Sequence, residues 1–402
     1  MKRSLTPLLA LSLIASLTAP AAALDDAHWR KANESIEQGI AYLRTTQNDN
    51  GSWSPRVGPA VTALAVQVML DRPQISADDP AVAKGIDYIL SKTKPSGAIH
   101  DGILKNYNTA ICLSALSRVD GDPSVARVVK KAQSYLKSLQ WSEVASPGGE
   151  SVEGDHPYYG GAGYGHGGRP DMSNTNLMLQ ALHDSGVSCD DPAFRRAVKF
   201  ISRTQGVPEN EMLGDKIQQD GGFIYSTTIN ADMPGVPESK ANPKLMDKAV
   251  KMQKAGEDIE TIREAVTDLR TYGSITYAGL KSYIYAMPAQ LTRDDPRVQA
   301  AMKWVKNNYT LKHNPGMPES AKHQGQYYYY MTFARALNAW GSATITTADG
   351  QSRDWGNDLV DALAKRQRED GAWVNNKASR WMEDNPDLVT AYSLIALENA
   401  ID

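Results

Sequence analysis

The densest run of chemistry-bearing side chains lies between residues 155 and 175. Asp155 and His156 lead into GGAGYGHGGRPDMSNT at 160–175, which sets Tyr164, His166, Arg169, Asp171, Ser173, Asn174 and Thr175 among closely spaced glycines. An arginine beside a helix start can clamp a carboxylate, sulfate or phosphate with two parallel hydrogen bonds, while free helix N–H groups complete the anion pocket. Asp155, His156 and His166 can also ligate a metal, but they share no established ligand spacing, so no metal is expected. GYGHGG at 163–168 matches G-x-G-x-x-G in letters only, because no strand precedes it and no βαβ unit surrounds it. The plainest alternative is capping, in which Pro170 sets an extended approach and Asp171 or Ser173 caps the helix that follows.

Other candidates are more scattered. Tyr277 and Lys281 sit one turn apart, and GQYYYYM at 325–331 places four consecutive tyrosines on one helix, so at least one ring, taken as Tyr328, faces inward. Asp171, His166 and Tyr277 are therefore the catalytic candidates. Arg169, Tyr164, Asn174, Lys281 and Tyr328 are the candidate ligand contacts, and no cofactor is implied. His313 and His323 lie in the loop ahead of the tyrosine run, whereas His100 and His183 stand apart from any cluster.

The elements that position these residues form a repeat. Asp79-Pro80, Asp122-Pro123, Asp191-Pro192 and Asp295-Pro296 each give an Asp N-cap with Pro at the first helical position. Each opens an amphipathic run with apolar residues three and four apart, and residues 36–47 and 357–367 match without the Asp-Pro. A second, almost uncharged helix follows each of the six, at 60–70, 107–118, 173–185, 273–286, 326–340 and 388–399. Six exposed helices alternating with six buried ones, with almost no strand alternation, imply an all-α fold: an α/α toroid of six helical hairpins, an inner ring inside an outer one. An open superhelix is the alternative, because periodicity alone does not show closure. The long loops, 141–172 and 206–272 above all, then gather at the end where the inner helices begin, which is where a site is expected. Residues 207–272 read as an insertion with one or two charged amphipathic helices, either a lid or arm or a solvated decoration.

QNDNGSW at 47–53 and QREDGAW at 367–373 resemble the Q-x-x-x-G-x-W repeat of squalene and oxidosqualene cyclases, with weaker copies in QQDGGFIY at 218–225 and GGAGYG at 160–165. GSITYAGLKSYIYA (273–286) and DLVTAYSLIALE (387–398) are similar to inner-helix repeats of protein prenyltransferase β-subunits. The resemblance spans residues ~30–402 and implies the six-hairpin toroid, with Gln tying an outer helix to the next repeat while Trp packs across. The relatives' catalytic motifs do not carry over. No D-x-D-D occurs to protonate an alkene, D-x-D at 120–122 lies in a short return loop, and the segments resembling the prenyltransferases lack the zinc-binding Cys and His.

The chain begins MKR, continues with an apolar stretch over Leu5–Leu17 and offers an A-x-A site at 21–23, which together read as an export leader with a mature start at Leu24. No later segment is apolar for long enough to span a bilayer. A net charge of −3 and a mean hydropathy of −0.44 give no basic excess for nucleic acid or anionic membranes. Cys112 and Cys189 fall at different heights of the expected ring and are expected as free thiols. The expected protein is an exported toroid that binds an apolar or terpenoid-like molecule in its axial cavity, with divergent cyclase activity one extension of that. A polysaccharide lyase or glycosidase on the same toroid and a non-catalytic cell-envelope scaffold are the alternatives.

Overall fold

The computed structural model describes residues 24–144, 149, 151–165, 168–287 and 289–402. The leader-like residues 1–23 and His166 lie outside the described residues. Outer helices α1 (Asp26–Thr46), α3 (Pro80–Ser91), α5 (Pro123–Ser138), α7 (Pro192–Ser202), α11 (Pro296–Asn307) and α13 (Trp355–Ala364) alternate with inner helices. These are α2 (Ala60–Leu70), α4 (Lys105–Leu116), α6 (Met172–Asp184), α10 (Gly273–Tyr285), α12 (Gln326–Trp340) and α14 (Pro386–Ile401). Each inner helix packs on its two inner neighbours, and α14 packs on α2, so the ring is closed and the open superhelix is excluded.

Local chemistry explains the regularity. Asp79, Asp122, Asp191 and Asp295 each accept from the backbone N–H groups of the first turn, with Pro at its start. Asp79 also takes two bonds from Arg44, at 2.9 and 2.8 Å, which couples α1 to α3. A glutamine after each of four outer helices bonds twice. Gln47 donates to the Gly51 and Ala81 carbonyls, Gln140 to Gly160 and Ala193, Gln205 to Gly221 and Arg297, and Gln367 to Gly371 and Ser35. The repeat glutamine of the fourth hairpin is thus Gln205; Gln218, inside QQDGGFIY, does not take that place. The Trp53 indole donates to Leu43 and the Trp373 indole to Leu363, each within its own hairpin.

A threonine near the start of the inner helix completes the lock. The hydroxyls of Thr62, Thr109, Thr175, Thr276 and Thr390 accept from the backbone N–H of Trp53, Ile99, Ala162, Phe223 and Trp373 at 3.0–3.1 Å. Gly160 carries the third hairpin's version of the turn at φ 86°, where an added Cβ would lie 1.8 Å from the Arg196 carbonyl oxygen. The glycine-rich stretch is therefore anchored at both ends by repeat contacts.

The segment 207–272 adds α8 (Pro243–Lys254) and α9 (Ile259–Ala265) around a small apolar cluster of its own, including Leu213, Met233, Ile262 and Leu269. Ser226 Oγ donates to the Pro170 carbonyl and Thr227 Oγ1 to that of Pro157, stitching the segment to the glycine-rich loop. Between α12 and α13 the return is a short hairpin of β1 (Thr344–Thr346) and β2 (Ser352–Asp354). Both cysteines are free, Cys112 buried and Cys189 partly so.

Candidate functional site

At the N-terminal end of the inner ring the axis holds a cavity of about 210 Å³. Each inner helix contributes to its wall: Val61, Tyr107, Leu177, Ile275, Tyr328 and Tyr392 come from α2, α4, α6, α10, α12 and α14 in turn. Tyr164 from the glycine-rich loop, with Tyr225 and Tyr272 from the inserted segment, brings the tyrosines to six. The insertion is thus part of the cavity wall. The rings of Tyr164 and Trp381, each nearly half exposed, form the rim.

The hydroxyls are sparsely paired. Those of Tyr107 and Tyr392 lie 3.1 Å apart, and that of Tyr225 lies 3.2 Å from Ser173 Oγ, which donates in turn to Asp171 at 2.8 Å. The Tyr328 hydroxyl is buried without a partner. Burial pushes Tyr107 up to about 12 and Tyr225, Tyr272 and Tyr392 well above the ordinary value, so all four remain neutral at physiological pH.

Two charged side chains reach the wall. Lys240 pairs with Glu238, whose other oxygen accepts from Arg169 at 2.5 Å, and both cations lie over the Tyr225 ring. Glu383 is fully buried at the start of α12, accepting from the backbone N–H groups of Gln326, Tyr327 and Tyr328 at 2.8–2.9 Å and from Asn375 at 2.7 Å. Burial pushes its carboxyl up to about 7 against the pull of those donors. Just before it, Trp381 and Met382 both adopt left-handed backbone, at φ 60° and 63°, and both line the cavity.

These contacts revise several sequence expectations. Tyr164 and Tyr328 line the cavity. Asp171 is the buried N-cap of α6, accepting from the backbone N–H and the side-chain amide of Asn174 at 2.9 Å, so both residues are occupied in capping behind the wall. Arg169 is committed to Glu238 and does not form the free anion clamp expected of it. The expected supply of free helix N–H groups is also taken up by the protein. Asp171 caps α6, Glu383 caps α12, the side-chain amide oxygen of Asn314 accepts from the Ser274 N–H of α10 and that of Asn108 from the Ala60 N–H of α2. Tyr277 is fully buried between Tyr329 and Phe333 and does not reach the cavity. Lys281 is buried below it, donating to Gln180 at 2.5 Å.

Tyr107, Tyr225, Tyr272, Tyr392, Lys240, Trp381 and Glu383 were not singled out from sequence. The repeat threonines carried a usable signal for two of them, because Tyr107 precedes Thr109 by two residues and Tyr392 follows Thr390 by two, as Leu177 follows Thr175.

The sequence model of the squalene-hopene cyclase C-terminal domain matches residues 57–223. No curated protein matches the chain. Among solved structures, a D-mannose isomerase is 11% identical with a TM-score of 0.51, covering 92% of this chain and 96% of that one. An unsaturated glucuronyl hydrolase specific for heparin is 13% identical with a TM-score of 0.51, covering 94% and 97%. A variant of the type II terpene cyclase MstE from Scytonema, with geranylgeranyl dihydroxybenzoate, is 14% identical with a TM-score of 0.49, covering 94% and 99%. At such identities the likeness is one of fold. With the paired-glutamine locks and the closed six-hairpin ring already established, the chain is an α/α toroid that resembles the squalene-hopene cyclase C-terminal domain over residues 57–223.

Proposed function

We propose that this protein is exported and binds an apolar or amphipathic molecule of terpenoid character in its axial cavity. The observation that carries the reading is the convergence of one apolar or aromatic side chain from every inner helix on a single cavity. At about 210 Å³ the space is below the ~300–1,000 Å³ usual for enveloping a drug-sized ligand, so it takes a compact molecule or one end of a longer one. Neutral tyrosine rings offer broad apolar faces with a polar tip, and such faces also favour positive charge held above them.

Binding, rather than proton-initiated cyclisation, is the activity assigned. Cyclisation needs an available acid at the wall, and the one carboxyl among the lining residues, Glu383, has both oxygens engaged by α12 and Asn375. A polysaccharide-cleaving site needs an open groove with a free arginine, and Arg169 is paired with Glu238.

Native mass spectrometry of protein purified from the exported fraction, followed by lipid extraction, tests the reading. A co-purifying isoprenoid-like mass is expected, and Ile275→Trp, which fills the cavity, is expected to remove it. Protein that carries no such mass and takes up no apolar probe would overturn the assignment. Sequencing the same material from its N-terminus tests export, with Leu24 expected first.

A further inference from the structure

Below the tyrosine-lined cavity the axis changes character within one repeat register. Five residues beyond Thr62, Thr109, Thr175 and Thr276 stand Gln67, Ser114, Gln180 and Lys281; five beyond Tyr330, at the corresponding place in α12, stands Arg335. All five are buried. Ser114, Gln180, Arg335 and the Tyr328 ring border a gap of about 10 Å³, which shares Tyr107, Leu177, Tyr328 and Tyr392 with the cavity above. That is room for a single water-sized group, ~10–15 Å³ being the minimum for one.

Arg335 is the unusual member. It is 6% exposed, and no carboxylate among the described residues lies within 4 Å of it. The Gln67 amide, with its oxygen turned inward, accepts from Arg335 Nη2 at 3.0 Å and from Arg118 Nη2 at 3.1 Å. The nearby Asp184 acts on Arg335 electrostatically but makes no contact with it: one carboxylate oxygen accepts from Gln180 at 2.6 Å, and the other, 3.9 Å from Arg118, is buried without a hydrogen-bond partner. Two turns separate Arg335 from Tyr328 on α12, and helical side chains lean toward the N-terminus, so the guanidinium is aimed up the axis at the gap. The Tyr328 hydroxyl above it is buried and unpartnered. A buried guanidinium without a direct counter-ion and a buried hydroxyl without a partner are each costly, and they face the same gap.

We infer that the axial site recognises an acid: the ligand's apolar body fills the tyrosine cavity, and the leading oxygen of its terminal carboxylate enters the gap to accept from Arg335 and Tyr328. The inference rests on the cavity being the ligand site and names the chemistry of the end that enters first. Arg335 supplies the charge, Tyr328 a second donor, and the shared walls keep the carboxylate out of water, where the pairing is strongest.

Isothermal titration of the full chain with geranic acid and with geraniol, at a pH where the acid is ionised, tests it. The acid is expected to bind at least tenfold more tightly than the alcohol. Arg335→Met is expected to bring that ratio close to one while the geraniol affinity changes less than threefold. Equal binding of the two probes by the native chain, or a preference that survives Arg335→Met, would overturn the inference and leave the cavity reading standing. So would loss of the preference in Lys240→Met alone, because the head group would then sit at the rim. If neither probe binds the native chain, the cavity reading falls and this one with it. Should Arg335→Met not fold, Tyr328→Phe reads the same contact, with an expected threefold or larger drop in the ratio.

Discussion

The first and third loops at the N-terminal end of the inner ring are built on the same bonds and differ in what lies between them. Gln47 and Gln140 each donate to a glycine carbonyl ahead and to the next outer helix, and Thr62 and Thr175 each receive a loop N–H at 3.0 Å. Yet only residues 48–50 separate glutamine from glycine in the first loop, against residues 141–159 in the third. The first loop buries Trp53 in the core and reaches the cavity only with Val57, whereas the third continues past its anchor to Tyr164 at the cavity rim. The frame is held by backbone-directed hydrogen bonds that any length of chain can connect, so site-forming sequence is inserted without disturbing the ring.

If the frame is shared, breaking it at its tightest point does the most damage. Gly160→Ala drives a Cβ into the Arg196 carbonyl, whereas Gly121→Ala, at a comparable φ of 79°, meets open space. The expected losses are roughly 4 kcal/mol or more and about 1 kcal/mol, read by thermal or denaturant melts, and similar losses would show that the clash is relieved. Next in size is a pH effect in the last loop and helix. Burial holds Glu383 and Glu398 up at about 7. Both therefore bind protons more tightly folded than unfolded, so their contribution is full below about 4.5 and is lost as pH rises through about 7. At ~1.4 kcal/mol per pKa unit this amounts to a few kcal/mol for each group between pH 4.5 and 8, and Glu383→Gln is expected to flatten the slope of stability against pH.

Gln47→Ala and Gln140→Ala each leave two carbonyls without their side-chain donor and are expected to cost about 2 kcal/mol alike. Losses differing by more than about 1 kcal/mol would show that the longer loop changes its anchor. Smallest is Thr175→Val against Thr62→Val, about 1 kcal/mol each, since one hydroxyl acceptor is replaced by a methyl of similar shape.

Much of the ring was legible because its determinants are local. Asp-Pro caps, three-and-four spacing and the Gln–Gly turns are written within a few residues and placed the outer helices, and the nearly charge-free runs between them placed the inner ones. The site was legible only where an aromatic on an inner helix or rim loop had few places to go, as with Tyr164 and Tyr328. It was misread where one polar residue met another from a distant segment. Arg169 looked like a free clamp because Glu238, 69 positions on, is its partner, and the helix starts looked open because their acceptors come from adjoining hairpins. Lys281 and Tyr277 share an inner helix, but that helix faces the axis and its neighbours at once, and sequence does not fix its rotation.

The seam where α14 meets α2 has a consequence for how the protein comes into being. Tyr392 of the last helix and Val61 of the second share the cavity wall, and α1 packs against both α13 and α14. The cavity therefore has no partial version: until the final helix docks, the axis is an open crescent with the apolar faces of α2 and α12 uncovered. Closure of the cavity and completion of the fold become one event, and a chain stopped short of α14 is left with five hairpins and no cavity.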